Sequence, residues 1–385
     1  MNRFAVALVA VVVGLAAGQT WAMNLSVWAV RDDIGFAPVS IAYNPENGKL
    51  LIAGTDLVEW ARGAGTGINL APAANWGDSP YGVVYVPSRG TYLVTDRAPA
   101  DIIEVQPGIA GQTPSMFVDV NAVNLNLWPA GGLPQDGSYA YYKSQWTGVE
   151  QTVHRFTLAG TNGVDAEYVP YSAFQAWSSS GPSQQLTIGV DGTLYLSARN
   201  SVVKPNRGIY YWDSGAAALV PVIQQAAILA LTGESNVTIY GLTIDAKDNI
   251  YFYDIYSGDI LEFDHTGVLS TFLTGTAIKA FMTAQGLSTP DSLHPSYMVA
   301  VGYELIFITG NISGHVLVAE IPGYGDFDDD GSIDADDYAL LAAAMSGPVS
   351  IVTPGAGYEK CDFDGDRHVD LRDFAEFQRR YGGTP

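Results

Sequence analysis

The chain has 385 residues, and its 40 acidic residues outnumber 18 basic ones to give a formal net charge of −22 at pH 7. This length allows two or more domains with a large core. The charge balance argues against nucleic acid as a partner, because phosphate binding requires clustered Lys and Arg. The acidity is uneven, since 14 of the acidic residues lie from Asp326 onward.

The first 22 residues have the pattern of an export signal. Arg3 supplies a positive start, residues 4–17 form an apolar stretch, and Thr20-Trp-Ala22 is a plausible cleavage site. The alternative is a buried helix. We expect a mature chain that starts near Met23 and is extracellular, on the cell surface or in the periplasm. The apolar stretch is too short to span a bilayer comfortably, and no later segment is long enough, so we expect no transmembrane segment in the mature chain. Cys361 is the only cysteine, which excludes an intramolecular disulfide.

From about residue 25 to 320 the sequence repeats a short apolar strand, a tight turn and a second apolar strand. Gly, Asn or Asp stands in each turn, where positive φ is needed. The six copies are SIAYNPENGKLLIAGTD from Ser40, GVVYVPSRGTYLVTD from Gly82, GGLPQDGSYAYYKSQ from Gly131, LTIGVDGTLYLSAR from Leu186, GLTIDAKDNIYFYD from Gly241 and YMVAVGYELIFITG from Tyr297.

A third apolar strand follows each pair, and a fourth follows in five of the units. The sixth unit lacks its fourth strand, but LSVWAV at Leu25–Val30 is available to complete it. Repeated four-strand units with a closing strand predict an all-β fold, a six-bladed β-propeller over residues 23–321. Paired β-sandwiches and a solenoid are the alternatives. The GLTIDAKDNIYFYD pattern resembles NHL-type and gluconolactonase-like propellers.

The acidic C-terminal segment contains the spacing of a calcium-binding loop. Numbered from Asp326, oxygen ligands are expected at positions 1, 3, 5, 7, 9 and 12, with Gly331 at position 6 for the sharp bend. The carboxylates would repel one another without a cation. The expected ligands of this first loop (326–337) are Asp326, Asp328, Asp330, the backbone carbonyl of Ser332, Asp334 and Asp337.

A second copy of the loop begins 36 residues later, which makes the alternative of a solvated acidic linker unattractive. Both copies are followed by an apolar face spaced i, i+3, i+7, which predicts a helix after each loop. The expected ligands of this second loop (362–373) are Asp362, Asp364, Asp366, the backbone carbonyl of His368, Asp370 and Asp373.

These paired loops resemble a dockerin type I module, a small α-helical, EF-hand-like domain, over residues 324–383. The resemblance implies two Ca²⁺ ions and a cohesin-like protein as partner, and we assign residues 322–385 to a module that unfolds independently of the propeller. The second loop departs from the pattern because Arg367 replaces glycine at position 6, so we expect its site to be the weaker. The partner-contact positions also differ between the copies, with Ala335 and Asp336 in the first against Leu371 and Arg372 in the second.

The function of the propeller is less clearly marked. Aromatic side chains suited to stacking on sugar rings make carbohydrate a candidate ligand, with packing between blades as the alternative; they are Trp128, Tyr171, Phe174 and Trp177. The metal ligands of gluconolactonase-like enzymes cannot be placed, since Tyr240 stands where an Asp is expected. Among the scattered histidines, His294 is the candidate functional residue.

Two functions of different classes remain. The first is an exported binding or structural protein, in which the propeller recognises a ligand and the calcium-dependent tail docks to a partner. The alternative is a polysaccharide-degrading enzyme, a lyase or glycoside hydrolase, with the tail as its delivery module. No nucleophile elbow or nucleotide-binding fingerprint stands out, and whether the chain is an enzyme is left open.

Overall fold

The computed structural model describes residues 24–75, 80–96, 101–119, 137–143, 152–175, 182–198, 207–289, 293, 297–310, 314–328, 330, 332–347 and 358–381. The predicted export signal lies outside these residues. Trp128, Trp177, His294 and Gly331 also lie outside them.

The described residues form 23 strands, numbered in chain order. The strand β1 comes first in the chain, and the next eleven strands form three sheets. They are β1 (Leu25–Ala29); β2 (Ser40–Asn44), β3 (Lys49–Ala53), β4 (Leu57–Ala61) and β5 (Ile68–Ala71); β6 (Pro80–Val86), β7 (Thr91–Asp96), β8 (Asp101–Val105) and β9 (Ser115–Asp119); and β10 (Tyr139–Lys143), β11 (Val153–Thr157) and β12 (Asp165–Val169).

The remaining strands build three further sheets. They are β13 (Pro182–Ile188), β14 (Leu194–Ala198), β15 (Gly208–Asp213) and β16 (Ala218–Gln224); β17 (Ile239–Ile244), β18 (Ile250–Asp254), β19 (Asp259–Phe263) and β20 (Leu269–Leu273); and β21 (Met298–Val301), β22 (Glu304–Ile308) and β23 (Val316–Glu320).

Each sheet is an antiparallel meander, and the six sheets are the blades of a propeller. The predicted six-bladed fold is therefore confirmed. Blade three has three strands among the described residues, β10, β11 and β12. The last blade is completed by β1, which pairs antiparallel with β23, so that Leu25 lies opposite Ala319. This pairing of the first strand with the last blade closes the ring, as the sequence predicts.

Apolar side chains fill the space between neighbouring blades. Six buried clusters are present, one at each junction around the ring. Blades six and one, for example, share a cluster that contains Trp28, Trp60 and Ile306. Burial of both faces of each sheet explains why the strands are almost continuously apolar instead of alternating. The ring is thus held by packing, without a disulfide.

The described helices lie outside the sheets. Two follow the outer strands of blades four and five, and two follow the acidic loops, as the apolar spacing there predicts. They are α1 (Arg31–Ile34), α2 (Tyr171–Gln175), α3 (Gln225–Thr232), α4 (Gly275–Ala284), α5 (Ala335–Ala344) and α6 (Leu371–Arg380), with 3-10 turns at Ala73–Asn75 and Glu359–Cys361. Over the described part of the chain, no helix has the length and apolar character needed to cross a membrane.

The meander topology gives the propeller two different ends. The first and second strands of each blade are joined at one end, which we call the turn end; it includes residues 45–48, 245–249 and 302–303. The connections from one blade to the next arrive at the opposite end, which we call the connection end. Because an antiparallel meander reverses at every turn, the fourth-to-first connections cannot share the end of the first-to-second turns.

The C-terminal module has its own apolar core and also packs on the propeller. Its buried cluster includes Tyr324, Phe327, Leu341 and Phe377. Tyr303, from the turn between β21 and β22, packs partly buried against this cluster. The module is therefore attached to the turn end of the propeller, a contact that the sequence did not predict.

Candidate metal centre

The first loop is built by short-range hydrogen bonds from backbone N–H groups to aspartate side chains. The N–H of Asp330 donates to carboxylate oxygens of both Asp326 (3.1 Å) and Asp328 (3.2 Å). The N–H of Ser332 donates to Asp330 at 2.8 Å. Asp326 is buried, whereas Asp328 and Asp330 are exposed. The loop thus turns around its own carboxylates, as the EF-hand spacing requires.

The second loop repeats this pattern position by position. The N–H of Asp366 donates to Asp362 (3.1 Å) and to Asp364 (3.2 Å), and the N–H of His368 donates to Asp366 (2.9 Å). Asp362 is buried, and Asp364 and Asp366 are half-buried, in contrast to their exposed counterparts in the first loop. The two loops therefore share a backbone design but differ in how far they are covered.

The aspartates at positions 9 and 12 of each loop cap the helix that follows. Asp334 and Asp370 are the N-caps of α5 and α6, and their carboxylates accept from the N–H groups of Asp336 (2.9 Å) and Arg372 (2.7 Å). Asp337 and Asp373 lie three residues later and complete capping boxes.

The carboxylates of Asp337 and Asp373 also reach back across their loops. Asp337 accepts from the N–H of Phe327 at 2.5 Å, and Asp373 accepts from the N–H of Phe363 at 2.6 Å. Both aspartates are fully buried. Each carboxylate therefore ties the start of its loop to the start of its helix.

The structure brings three carboxylates together in each loop. The oxygens of Asp326, Asp328 and Asp330 lie within 4.8 Å of one another, and so do those of the second group, Asp362, Asp364 and Asp373. Each loop offers only oxygen atoms, at the six ligand positions of the EF-hand spacing, and oxygen is the donor that Ca²⁺ prefers. These residues fit a calcium ion in each loop.

Burial, and after it the charge of neighbouring carboxylates, raises carboxyl pKa values in the second loop. Burial and then the charge of Asp373 raise the pKa of Asp362 to about 8. Burial also raises the pKa of Asp373 to about 6, against the hydrogen bond from the backbone of Asp370. Carboxylates placed so close together favour either protons or a cation between them. The electrostatics of the loop are those of a site for positive charge.

Arg367 adopts the bend for which glycine is the usual residue. Its φ is +71°, one of three positive values at non-glycine residues in the described chain. Its N–H donates to the Asp362 carboxylate at 2.7 Å, so the loop closes despite the side chain. Left-handed backbone at such a residue costs about 1–2 kcal/mol. The predicted strain at this position is therefore present.

Cys361, immediately before the second loop, is buried in the core of the module. Burial raises the pKa of its thiol to about 12. A protonated, buried thiol beside oxygen ligands is neither a nucleophile nor a ligand for calcium. Cys361 is a core residue of the module.

Comparison with known families identifies this part of the chain. Residues 324–380 match the family model described as "Dockerin type I domain". The C-terminal module matches a dockerin. Dockerin domains bind calcium, and the two acidic clusters fit this property. A dockerin implies a cohesin as partner, and dockerin modules occur in secreted proteins. No curated protein matches the sequence.

Solved structures resemble the propeller in fold. A gluconolactonase from Xanthomonas campestris is 14% identical with a TM-score of 0.53, over 78% of this chain and 90% of that one. A luciferin-regenerating enzyme is 12% identical with a TM-score of 0.50, over 78% and 96% of the two chains. A structural genomics protein of unknown function from Bacteroides thetaiotaomicron is 11% identical with a TM-score of 0.50, over 78% and 76%. At these identities the likeness establishes the fold alone.

The propeller residues singled out in the sequence fall in different settings. Phe174 is buried in the core between blades three and four, in agreement with the packing alternative. Tyr171 begins α2, in the connection from blade three to blade four, and is half-buried. His154, one of the scattered histidines, is buried, and its Nδ1 lies 3.1 Å from a carboxylate oxygen of Asp165. Among the described residues, two groups of three or more acidic, His or Cys side chains could hold a metal ion. Both groups lie in the dockerin loops.

Sequence reasoning missed three side chains that hold the loops by their backbone carbonyls. Lys247 donates to the carbonyl of Asp326 at 2.8 Å, and Tyr43 donates to the carbonyl of Asp364 at 3.0 Å. Lys360, in the 3-10 turn just before the second loop, donates to the carbonyl of Phe327 in the first loop. Two of these donors belong to the propeller, and no local pattern marks them because their contacts depend on how the module packs.

Proposed function

We propose that this chain is an exported binding protein with two working parts. The six-bladed propeller recognises a ligand, and the dockerin module holds Ca²⁺ in both of its loops and docks to a cohesin-like partner. The observation that carries the proposal is the duplicated loop inside the dockerin match, with three carboxylates converging in each copy. A single acidic loop would not support it, because exposed acidic groups are common without an ion.

Each loop residue has a defined part in this proposal. The ligands are the carboxylates at positions 1, 3, 5, 9 and 12 and the backbone carbonyl at position 7, as in the EF-hand spacing. The ion would supply the positive charge that the crowded carboxylates lack, and the loop and its helix would then be ordered together. In the first loop the set is Asp326, Asp328, Asp330, Ser332, Asp334 and Asp337, and in the second Asp362, Asp364, Asp366, His368, Asp370 and Asp373.

We propose that the N-termini of α5 and α6, the helices that follow the two loops, contact the partner. Both starts are exposed, but they differ in chemistry, with Ala335 and Asp336 in the first and Leu371 and Arg372 in the second. Arg372 lies 3.7 Å from the Asp366 carboxylate. An acidic start and a basic start offer a partner different charges, so we propose that one orientation of the module is preferred.

The connection end of the propeller is the proposed ligand face. The dockerin module occupies the turn end, which leaves the opposite mouth of the channel to a ligand. Tyr171 lies at this connection end. Among the aromatic residues that the structure describes, it is our candidate for stacking on a sugar ring. Carbohydrate is therefore the proposed ligand class. A polysaccharide lyase or glycoside hydrolase remains the alternative function. We favour binding because, among the residues that the structure describes, the carboxylate clusters lie in the dockerin module.

The test is calcium-dependent binding to a purified cohesin domain. The full-length chain should bind in Ca²⁺ and be released by a chelator. Asp328→Asn and Asp364→Asn, which each remove a proposed ligand, should weaken binding. The matched control is Asp329→Asn, which removes one charge at position 4, where the EF-hand spacing has no ligand. Binding that is equally strong in chelator, or absent in both conditions, would contradict the proposal.

A further inference from the structure

The second loop is seated on the turn end of the propeller. The phenol of Tyr43, on β2 of blade one, donates to the carbonyl of Asp364 at 3.0 Å. On blade six, the ring of Tyr303 lies 6.2 Å from that of Phe363, and the Arg380 guanidinium lies 4.4 Å from the Tyr303 ring centroid. Residues from two neighbouring blades thus contact the same calcium loop and its helix.

Two glycines make this approach possible. A Cβ on Gly302, in the turn between β21 and β22, would lie 1.9 Å from the carbonyl oxygen of Phe363. A Cβ on Gly365, at position 4 of the second loop, would lie 2.4 Å from a methyl group of Val301. Real Cβ atoms do not approach other atoms this closely. The two backbones therefore meet at a distance that only glycine allows.

The first loop also contacts the propeller, where Lys247 of blade five donates to the Asp326 carbonyl at 2.8 Å, but its sequence differs at the close approach. Its position 4 is occupied by Asp329, where the second loop has Gly365. Asp328 and Asp330 are exposed, whereas Asp364 and Asp366 are half-buried. The two repeats are therefore specialised, although their ligand spacing is the same. The second repeat carries glycine at position 4, where Val301 of blade six lies against it.

We propose that the propeller is the intramolecular docking partner of the second loop, and that calcium in this loop holds the module on the turn end. This rests on the proposed calcium function. The proposed ligands Asp362 and Asp364 belong to the same loop segment whose backbone carbonyls meet Tyr43 and Gly302, so ion binding and docking favour the same conformation. By linkage, loss of either weakens the other. The first loop is exposed to solvent at Asp328 and meets the propeller through the Lys247 bond at Asp326, so its ion binding is coupled to docking more weakly.

The test is hydrogen exchange of the full-length chain, with Ca²⁺ and with a chelator. In Gly302→Ala the amides of residues 362–367 and 301–303 should exchange roughly fivefold faster or more in Ca²⁺, a typical lower size for such coupling. The matched control is Gly90→Ala, since Gly90 also has a positive φ (66°, against 51° at Gly302) in the first-to-second turn of blade two but open space around its Cβ. Residues 332–334 of the first loop, away from the Lys247 contact at Asp326, should not change in either variant.

A second variant, on blade one, distinguishes loss of docking from misfolding of blade six. Tyr43→Phe removes only the hydroxyl group and should raise exchange in residues 362–367, with residues 332–334 of the first loop unchanged. In the unmodified chain, the chelator should also raise exchange at 301–303. Calorimetry on the same samples separates the two proposals. Calcium binding with an insensitive 301–303 turn, or equal exchange in Gly302→Ala and Gly90→Ala, overturns docking alone, whereas absence of calcium binding overturns both.

Discussion

The phenolic oxygen of Tyr43 lies 3.0 Å from the backbone carbonyl of Asp364 and donates to it. Tyr43 is on the innermost strand of the first blade, and Asp364 is a proposed calcium ligand 321 residues later. Burial, followed by the charge of Asp364, raises the pKa of this phenol far above its ordinary value, so it is a proton donor at physiological pH. The bond joins the two domains at the point where the ion is expected.

Loss of the first calcium site should affect the dockerin module more than the propeller. In Asp326→Asn with Asp328→Asn, the module should lose its calcium-dependent thermal transition, because the first loop closes around these carboxylates. The propeller should keep its own cooperative transition, since its clusters lie between blades. Differential scanning calorimetry with and without calcium measures both. A propeller midpoint that falls as far as that of the module would contradict separate unfolding.

Replacement of Arg367 should strengthen the second site. Arg367→Gly removes the strain of a positive φ of 71° and keeps the N–H that bonds to Asp362. A gain of about 1 kcal/mol would tighten calcium binding at that site several-fold. The control is Ala217→Gly, which relieves a positive φ of 49° in a propeller turn and should leave calcium affinity unchanged. Unaltered affinity in Arg367→Gly would show that the bend is not strained.

The closing strand should be essential to the stability of the ring. Trp28 on β1 is 4% exposed, in the cluster between blades six and one, and its ring packs edge-on to Tyr43 at 6.3 Å. Trp28→Ala should therefore cost about 3–5 kcal/mol of propeller stability. Val164→Ala, at a side chain 69% exposed, should change stability by less than about 0.5 kcal/mol. Chemical denaturation of both variants checks this, and equal costs would mean that β1 is dispensable.

Blade five contains a carboxyl group that should make stability depend on pH. Burial raises the pKa of Glu262 to about 7, and the Asp245 charge adds to this, against a hydrogen bond from Tyr251. The unfolded carboxyl ionises first, near its ordinary pKa of 4.5. The stability that Glu262 contributes is therefore complete below about pH 4.5 and is lost as pH rises through 7.

Glu262→Gln removes that dependence and keeps an oxygen for Tyr251. It should stabilise the propeller by about 2 kcal/mol at pH 8 and by little at pH 4. Glu104→Gln is a control of opposite sign, because hydrogen bonds from Arg89 and Thr91 outweigh burial and lower the pKa of Glu104. That variant should lose stability at pH 8. Urea titrations at the two pH values measure these differences, and a Glu262→Gln effect independent of pH would contradict the assignment.

The blades and the loops were predictable from sequence because both depend on short-range order. A hairpin needs apolar strands and a residue such as Gly90 at positive φ, and all of these stand within 15 residues. The calcium loop similarly needs its ligands at fixed spacing. The closing strand was predictable by count, since five units had four strands and one had three.

Other features depend on packing that no local pattern records. Helix α3 has the sequence QAAILALT, which has no polar face and therefore no clear helical period. Contacts such as Lys247 with Asp326 join residues 79 apart in the chain. The seat of the module on the turn end follows from Gly302 and Gly365 only once the two domains are placed together. The sequence therefore predicts the domains but not their interface.

Calorimetric titration of Ca²⁺ into the full-length chain tests the central claim most directly. The account predicts two equivalents, one for each acidic loop. Asp328→Asn should retain only the equivalent of the second loop, and Asp364→Asn only that of the first. A chain that binds no calcium, or binds one equivalent that neither substitution removes, would contradict it.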